Sequence, residues 1–581
     1  MGRSISPFYA ASIQFNPRLN RREENVEALY EVVRRAAESG ARLIVTPEMA
    51  TTGYLYRNRK AIAPFVDTIP GKTTRRFGEI AERYGAYIVL GMAEADPETG
   101  LFYNAAALIG PGGVLGKYRK MHLWAAEETW SCPGDLGVPV FPTEIGRIAI
   151  MICMDAVYFE TARLAALRGA DILAFPTNSS GQTVTLLQDR ARSNGLYIVG
   201  ANRSDTEEGF RMVGASALWS PRGELLAATP YLADPEQKRD EPAWIAARID
   251  PALYANPAKE RLKERRPELY ADLLLHRGSW GFPAEPPREI AAAVLQYEPL
   301  PGKKAANQEK VRKLLGKTVF PDSGQRLIVL PELSLTGPAR GLPKERIRRW
   351  AETGAGFTVR EMGRLARMYR ASVVFGMIEQ QGDALYNAAV LLNPEGEIAG
   401  IYRKAHLGPE EKRWALPGNE LPVFPTEELG RVGLMLGEDA LFPETAGVMA
   451  VNRADLVVIP SAFREGTGCE RVRYPGQAAE PAGMIPWDTI ARDVQSPVVV
   501  ANFVGTPHRL QGRSSVYTLR QGGESTRVWS ASGEREEVWV ARFRTLRERG
   551  WFNQEKLNAT RRTAFYKPLV FPEGTFPPDL R

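Results

Sequence analysis

Cysteine and histidine are both scarce in this 581-residue chain. Only Cys132, Cys153 and Cys469 occur, which excludes a disulfide framework and a thiolate zinc centre. The four histidines never stand at ligand spacing, so no metal centre is expected. Also missing is any apolar run long enough to cross a bilayer, and the first residues look neither like a secretory signal nor like a transit peptide. A cytoplasmic location is therefore expected. Met1-Gly2-Arg3-Ser4-Ile5-Ser6 fits an N-myristoylation pattern, but no polybasic second signal follows, and no membrane partner is expected. A dominant charge sign is lacking too: 75 basic against 68 acidic residues leave a net charge of +7. That mixed surface argues against a nucleic-acid partner.

What is present is the alternation of an α/β protein. Phe8 to Gln14 reads as a strand, Glu23 to Glu38 as a helix with apolar residues at Val26, Leu29, Val32, Val33 and Ala36, and Ala41 to Pro47 as a second strand ending on Glu48. Further strands are predicted at Ala86 to Ala93, Tyr103 to Ile109, Arg147 to Asp155, Asp171 to Pro176 and Leu196 to Ala201. Helices are predicted at Thr74 to Tyr84, from Glu160, and near Leu187 to Ser193.

After a Gly- and Pro-rich linker the chain begins again. One offset of 284 residues separates Glu48 from Glu332, Lys120 from Lys404, Glu127 from Glu411 and Asp155 from Asp439. Pro133-Gly134 recurs as Pro417-Gly418, and Tyr118-Arg-Lys-Met-His-Leu as Tyr402-Arg-Lys-Ala-His-Leu. Chance does not hold such a register, so the chain is a tandem duplication with a domain-sized period. The expected domains are 1–278, a linker at 279–288, and 289–581. The copies part at Cys153, whose counterpart is Gly437. Copy two also gains length between Ser461 and Ile490, read as a long loop carrying an incidental thiol, Cys469.

Glu48, Lys120 and Cys153 each stand at the end of a predicted strand or hairpin, where α/β folds place their sites. A thiol needs a base, and a carboxylate in a dry pocket can serve; a fixed ammonium can hold the oxygen that turns negative when the thiolate attacks a carbonyl. Glu48 and Lys120 suit these tasks, with the Met154 backbone N–H as a second donor. A Glu–Lys ion pair beside an inert cysteine satisfies the same spacing equally well. His122 invites a Cys–His reading, but its mirror, His406, lies in the copy without the thiol, so a shared structural role accounts for both.

Pro47-Glu48 with Gly53-Tyr54, Tyr118-Arg-Lys-Met-His-Leu, Pro133-Gly134-Asp135, Cys153-Met-Asp with Glu160, Gly169-Ala-Asp with Phe175-Pro176, and the terminal Arg265-Arg266 with Tyr270 and Arg561-Arg562 with Tyr566 together resemble the nitrilase, or carbon–nitrogen hydrolase, superfamily. The resemblance runs through both copies. It implies two tandem αββα sandwiches, a Cys-Glu-Lys triad on Cys153, Glu48 and Lys120, and a second glutamate that orients the lysine and the substrate amide, a role that Glu127 matches, seven residues before Gly134, with Glu128 its near rival. The implied activity is thiol hydrolysis of a small carboxamide or N-carbamoyl compound through a Cys153 thioester, a reaction that requires no metal or organic cofactor. Nitrile hydrolysis, acyl transfer to an amine, and a non-catalytic scaffold or ligand-binding role stay as alternatives. Nitrilases of the superfamily usually show Cys-Trp-Glu, whereas Cys153-Met154-Asp155 looks like the amidase side. Asn178-Ser179 stands where many members have Asn-Trp, so the pocket wall differs there. Candidate pocket liners are Tyr54, Trp124, Trp130, Tyr158 and Ser179. Copy two, lacking the thiol, is expected to be silent and to pair with copy one as an intramolecular pseudo-dimer; further homo-oligomerisation is left open.

Overall fold

The computed structural model describes residues 5–571 apart from 235, 238–240, 283–285, 320–323, 325, 479–482, 507, 520–525 and 546–551. The first four residues of the myristoylation-like pattern, part of the linker and part of the copy-two loop thus lie outside the described residues. Two compact units divide the chain. Unit 1 holds Met1–Lys263 together with Val472–Glu480 and Thr560–Arg581, and unit 2 holds Glu264–Arg471 and Pro481–Ala559. The units therefore follow the sequence repeat except in three segments. The Arg-Arg…Tyr stretch near the end of copy one belongs to unit 2, the matching stretch near the end of copy two belongs to unit 1, and part of the copy-two loop belongs to unit 1.

In unit 1, β1 (Phe8–Gln14), α1 (Arg22–Glu38), β2 (Ala41–Val45), α2 (Lys72–Tyr84), β3 (Tyr87–Ala95), β4 (Phe102–Gly110) and β5 (Gly113–Arg119) lead into a second set: β6 (Val140–Thr143), β7 (Gly146–Ile150), α3 (Phe159–Leu167), β8 (Ile172–Thr177), α4 (Leu187–Asn194), β9 (Tyr197–Asn202), β10 (Ala217–Trp219), β11 (Leu225–Ala228) and β12 (Ala243–Ile249). They form two six-stranded sheets, ordered β12-β1-β2-β3-β4-β5 and β11-β10-β9-β8-β7-β6. Strands β1, β2 and β3 are parallel, as are β7, β8 and β9. The sheets stack, the Ser12 hydroxyl of β1 donating to the Gly200 carbonyl of β9 at 2.7 Å. Helices cover the outer faces: α1 buries Val26, Leu29, Val32, Val33 and Ala36, and α2 buries Phe77, Ile80 and Ala81. Strands covered on both faces read as nearly continuous apolar runs, as Ile88 to Met92 does.

Unit 2 repeats the plan with β13 (Glu289–Gln296), α5 (Lys304–Thr318), β14 (Leu327–Val329), α6 (Phe357–Tyr369), β15 (Ser372–Gln381), β16 (Ala384–Leu392), β17 (Ile398–Arg403), β18 (Val423–Thr426), β19 (Gly430–Leu434), α7 (Pro443–Val451), β20 (Leu456–Ser461), α8 (Trp487–Val494), β21 (Val498–Asn502), β22 (Ser515–Leu519), β23 (Thr526–Ser530) and β24 (Glu537–Arg544). Its sheets are ordered β24-β13-β14-β15-β16-β17 and β18-β19-β20-β21-β22-β23, the same neighbours in the same sequence. Each unit is an αββα sandwich. Cys469 is half-buried, in a two-residue strand paired with Met484–Ile485.

Two glycines set the backbone around the site. A Cβ on Gly91 of β3 would stand 2.2 Å from the Pro47 carbonyl oxygen, so only glycine lets the Glu48 turn lie against β3. A Cβ on Gly134 would stand 2.1 Å from the Arg119 carbonyl oxygen, and the Gly134 N–H donates to the Lys120 carbonyl at 2.7 Å. The repeated Pro-Gly is thus a close approach beneath the lysine, and Gly418 meets the Arg403 carbonyl in the same way.

Candidate active site

Three chain segments deliver charged groups to the carboxyl end of the parallel strands. Glu48 lies just past β2, Lys120 just past β5, and Glu127 opens a 3-10 turn, Glu127–Thr129. All three side chains are fully buried. The Lys120 ammonium donates to Glu48 Oε1 at 2.7 Å and to both Glu127 oxygens at 2.9 and 2.7 Å. Asn104 of β4, which the sequence reading did not single out, ties the carboxylates together: its Nδ2 donates to Glu48 Oε1 at 2.7 Å and to Glu127 Oε1. Its recurrence as Asn387 was the available signal. Glu128 is exposed, so Glu127 is the glutamate at the lysine. Among the described residues Glu48 Oε2 has no hydrogen-bond partner although it is buried.

The strand predicted over Arg147 to Asp155 ends earlier, at Ile150. Cys153 takes a left-handed conformation, φ +44°, and opens a 3-10 turn, Cys153–Val157. Non-glycine residues enter this region rarely and only where surroundings enforce it. Asp155 enforces it here. Its Oδ2 accepts from the Ile152 N–H at 3.0 Å and the Tyr118 hydroxyl at 2.7 Å, and its Oδ1 accepts from the His122 N–H at 3.0 Å and lies 2.8 Å from His122 Nδ1. One carboxylate thus pins the cysteine turn to the Lys120 strand end. His122 is engaged on every side: Nε2 lies 2.9 Å from the Tyr566 hydroxyl, and the ring stacks on Tyr158 at 3.7 Å. Unit 2 builds the same cluster with His406, Asp439, Tyr270 and Phe442. Arg561 on Glu160 and Arg265 on Glu444 complete the parallel.

Electrostatics divide the labour. Burial opposes the Lys120 charge, but Glu127 and Glu48 outweigh it and hold the ammonium well above the usual lysine range. Burial pushes Glu127 up to about 7, against the pull of Lys120, since one ammonium is shared by two buried carboxylates. Burial, and then the negative charge of Glu48, pushes the Cys153 thiol up to about 12, with Lys120 and a hydrogen bond from Thr177 pulling the other way. The resting thiol therefore keeps its proton at neutral pH, and a nucleophile arises only if a base removes that proton during attack.

Tyr54 stacks on Trp124 at 5.8 Å, Trp124 meets Phe210 at 4.6 Å, and the Lys120 ammonium lies 5.9 Å from the Tyr54 ring. These rings form one aromatic wall beside the lysine. Glu207 fixes it, accepting from the Tyr54 and Leu55 N–H groups at 2.8 and 2.7 Å. Trp130 packs edge-on to Tyr56 beneath that wall, and Tyr158 belongs to the His122 stack. The Ser179 hydroxyl accepts from the Gly181 and Thr183 N–H groups and shapes the turn after β8. Within unit 1 the Tyr474 hydroxyl donates to the Val184 carbonyl at 2.8 Å, and the Val472 N–H donates to Gln188 at 2.8 Å. Val472 and Tyr474 thereby brace the chain just after this turn.

In unit 2, Lys404 binds Glu332 Oε1 at 2.8 Å, Glu411 at 2.8 and 2.9 Å, and also Glu438, the counterpart of Met154. The three carboxylates have oxygens within 4.8 Å of one another, close enough for a cation, and the Lys404 ammonium already sits among them. Gly437 repeats the left-handed turn at φ +39°. A Cβ there would stand 2.6 Å from Glu332 Oε2 and 3.2 Å from Lys404 Nζ, so the acidic groups have closed over the place of the missing thiol.

A family model for carbon-nitrogen hydrolases matches residues 9–237 and 291–536. A protein of Pyrococcus abyssi named nitrilase is 34% identical over 262 residues, 45% of this chain and 98% of its own. An omega-amidase of Xenopus tropicalis is 28% identical over 270 residues, covering 43% of this chain and 92% of its own. A formamidase of Bacillus cereus is 32% identical over 238 residues, covering 39% and 71%. Among solved structures, a double mutant of the amidase from Nesterenkonia sp. AN1 in complex with acrylamide aligns with a TM-score of 0.37 and 25% identity, covering 45% of this chain and 98% of its own.

Proposed function

Because this chain belongs to the carbon–nitrogen hydrolase family, matched in both of its copies, we propose that it is a thiol amidohydrolase acting at Cys153 on a small carboxamide or N-carbamoyl compound. The observation that carries this reading is a single buried ammonium, Lys120, bridging Glu48 and Glu127 beside a cysteine held at a left-handed turn. Residues 1–278 are the catalytic copy and 289–581 the copy without a nucleophile.

In the proposed cycle the unpartnered Glu48 Oε2 takes the thiol proton as Sγ bonds to the amide carbon. Lys120 and the Met154 N–H receive the developing oxyanion, each such preorganised donor contributing about 3 kcal/mol. Glu127 accepts a hydrogen bond from the substrate amide nitrogen and fixes the ammonium. The C–N bond then breaks, Glu48 returns its proton to the leaving ammonia, and a thioester remains on Cys153. Water deprotonated by Glu48 attacks the thioester, and the carboxylic acid leaves as the thiol is restored. The named relatives favour an amide over other acyl compounds, while the likeness to a nitrilase supports a second reading in which a nitrile enters the same site.

The test is intact-protein mass after brief incubation with small amides, carbamoyl compounds and nitriles, with ammonia assayed in parallel and hydroxylamine added to intercept acyl transfer. A substrate-dependent adduct lost in Cys153→Ala, with ammonia release lost too, is the expected result. Ammonia release retained by a folded Cys153→Ala protein refutes the mechanism.

A further inference from the structure

Within the catalytic unit one buried polar side chain remains unused. Asn178 is 1% exposed, and both its Nδ2 and its Oδ1 lack a hydrogen-bond partner. Among the described residues it is the one buried carboxamide with both ends unpartnered. In the chain it directly follows Thr177, whose side chain hydrogen-bonds to Cys153, where β8 ends. A buried donor and acceptor left empty together are costly unless a ligand or water meets them.

The internal repeat supplies a control. Copy two keeps Glu332, Lys404, Glu411, Asn387, Asp439 and His406, the framework of the site, but at the counterparts of Cys153 and Asn178 it has Gly437 and Ala462. Ala462 is buried at 6% exposure, so the fold accepts an apolar methyl at this place. The Asn178 amide is thus dispensable to the framework and is found only where the nucleophile is.

Resting on the amidohydrolase reading above, we propose that the Asn178 carboxamide is a specificity-determining binding group for the acyl part of the substrate. The scissile amide is already served, its oxygen by Lys120 and the Met154 N–H and its nitrogen by Glu127. What is left for Asn178 is a second group that both accepts and donates a hydrogen bond. The substrate class is therefore a small amide carrying a hydroxyl or a second carboxamide, rather than a purely aliphatic one. A site built to hydrogen-bond such a group discriminates strongly against analogues lacking it, because its own polar atoms are otherwise left unpaired.

The full chain is tested with two matched pairs, lactamide against propionamide and succinamide against butyramide, in wild type, Asn178→Ala and Asn178→Leu. Wild type is expected to favour the polar member by about tenfold or more in kcat/KM, and both variants to bring each pair within about twofold. Tm is expected to stay within about 1 °C of wild type or to rise, because no protein hydrogen bond is lost. A preference that persists in the variants overturns the proposal, as does an equal fall on all four amides accompanied by a Tm loss of several degrees. If wild type releases no ammonia from any amide, the hydrolase reading fails by itself. Binding of lactamide and succinamide to Cys153→Ala, read by calorimetry, then decides the role of Asn178. A loss of about tenfold in affinity on adding Asn178→Ala supports it and equal affinity overturns it.

Discussion

Gly91→Ala puts the geometry of the proposed site to a quantitative test. The added methyl would stand 2.2 Å from the Pro47 carbonyl oxygen and 3.0 Å from the Glu48 Cα. Neither partner is the flexible end of a side chain, so the backbone carrying Glu48 must retreat by about 1 Å to reach ordinary contact. Two hydrogen bonds resist that retreat, Ala50 N–H to the Gly91 carbonyl and Gly91 N–H to the Thr46 hydroxyl, each 3.0 Å. Overpacking of this kind costs about 2 kcal/mol of stability, while a base misplaced by about 1 Å costs about a hundredfold in rate. The expectation is a folded protein with kcat down about a hundredfold and KM little changed, measured by ammonia release. Gly376→Ala is the internal control: its methyl would stand 2.3 Å from the Leu333 backbone nitrogen, beside Glu332. It should cost similar stability and leave kcat alone. Gly91→Ala with kcat within threefold of wild type, or Gly376→Ala with the same hundredfold loss, would refute the reasoning.

Gly437→Ala should leave turnover unchanged and lower stability by about 1–2 kcal/mol, because its methyl presses on Glu332 at a left-handed residue; a large fall in kcat in the folded variant would place unit 2 in the reaction. Stability should also depend on pH through the buried glutamates. Glu127 and Glu332 are both pushed up to about 7, mainly by burial, from an ordinary value of 4.5. A carboxyl whose folded pKa is raised contributes stability below its unfolded value and loses that contribution as pH rises through the folded one. Tm should therefore fall between about pH 4.5 and 7, and Glu332→Gln should flatten that slope while ammonia release persists; an unchanged slope in this variant contradicts the assignment.

Much of the architecture could be read from the residue order because it rests on local chemistry. Helix α1 shows its buried stripe as a 3.6-residue period, and strands such as β3 show theirs as unbroken apolar runs. The duplication and the absence of a thiol in copy two needed only the fixed 284-residue offset, and the triad candidates came from the predicted strand ends together with the motifs shared with the superfamily. Tertiary structure decided the rest, because it depends on which groups meet across long stretches of chain. Spacing favours Glu127 but leaves Glu128 as a near rival, and burial against Lys120 separates the two. The early end of β7 at Ile150 follows from Asp155 drawing the Ile152 N–H, Tyr118 and His122 onto one carboxylate. Tyr566 reaches His122 from 444 residues away, and the Arg561 segment lies in unit 1 although it ends copy two. No local periodicity encodes such a pairing. The unpartnered ends of Asn178 are likewise a property of the folded interior, since a polar side chain in the sequence does not reveal whether its hydrogen bonds are met.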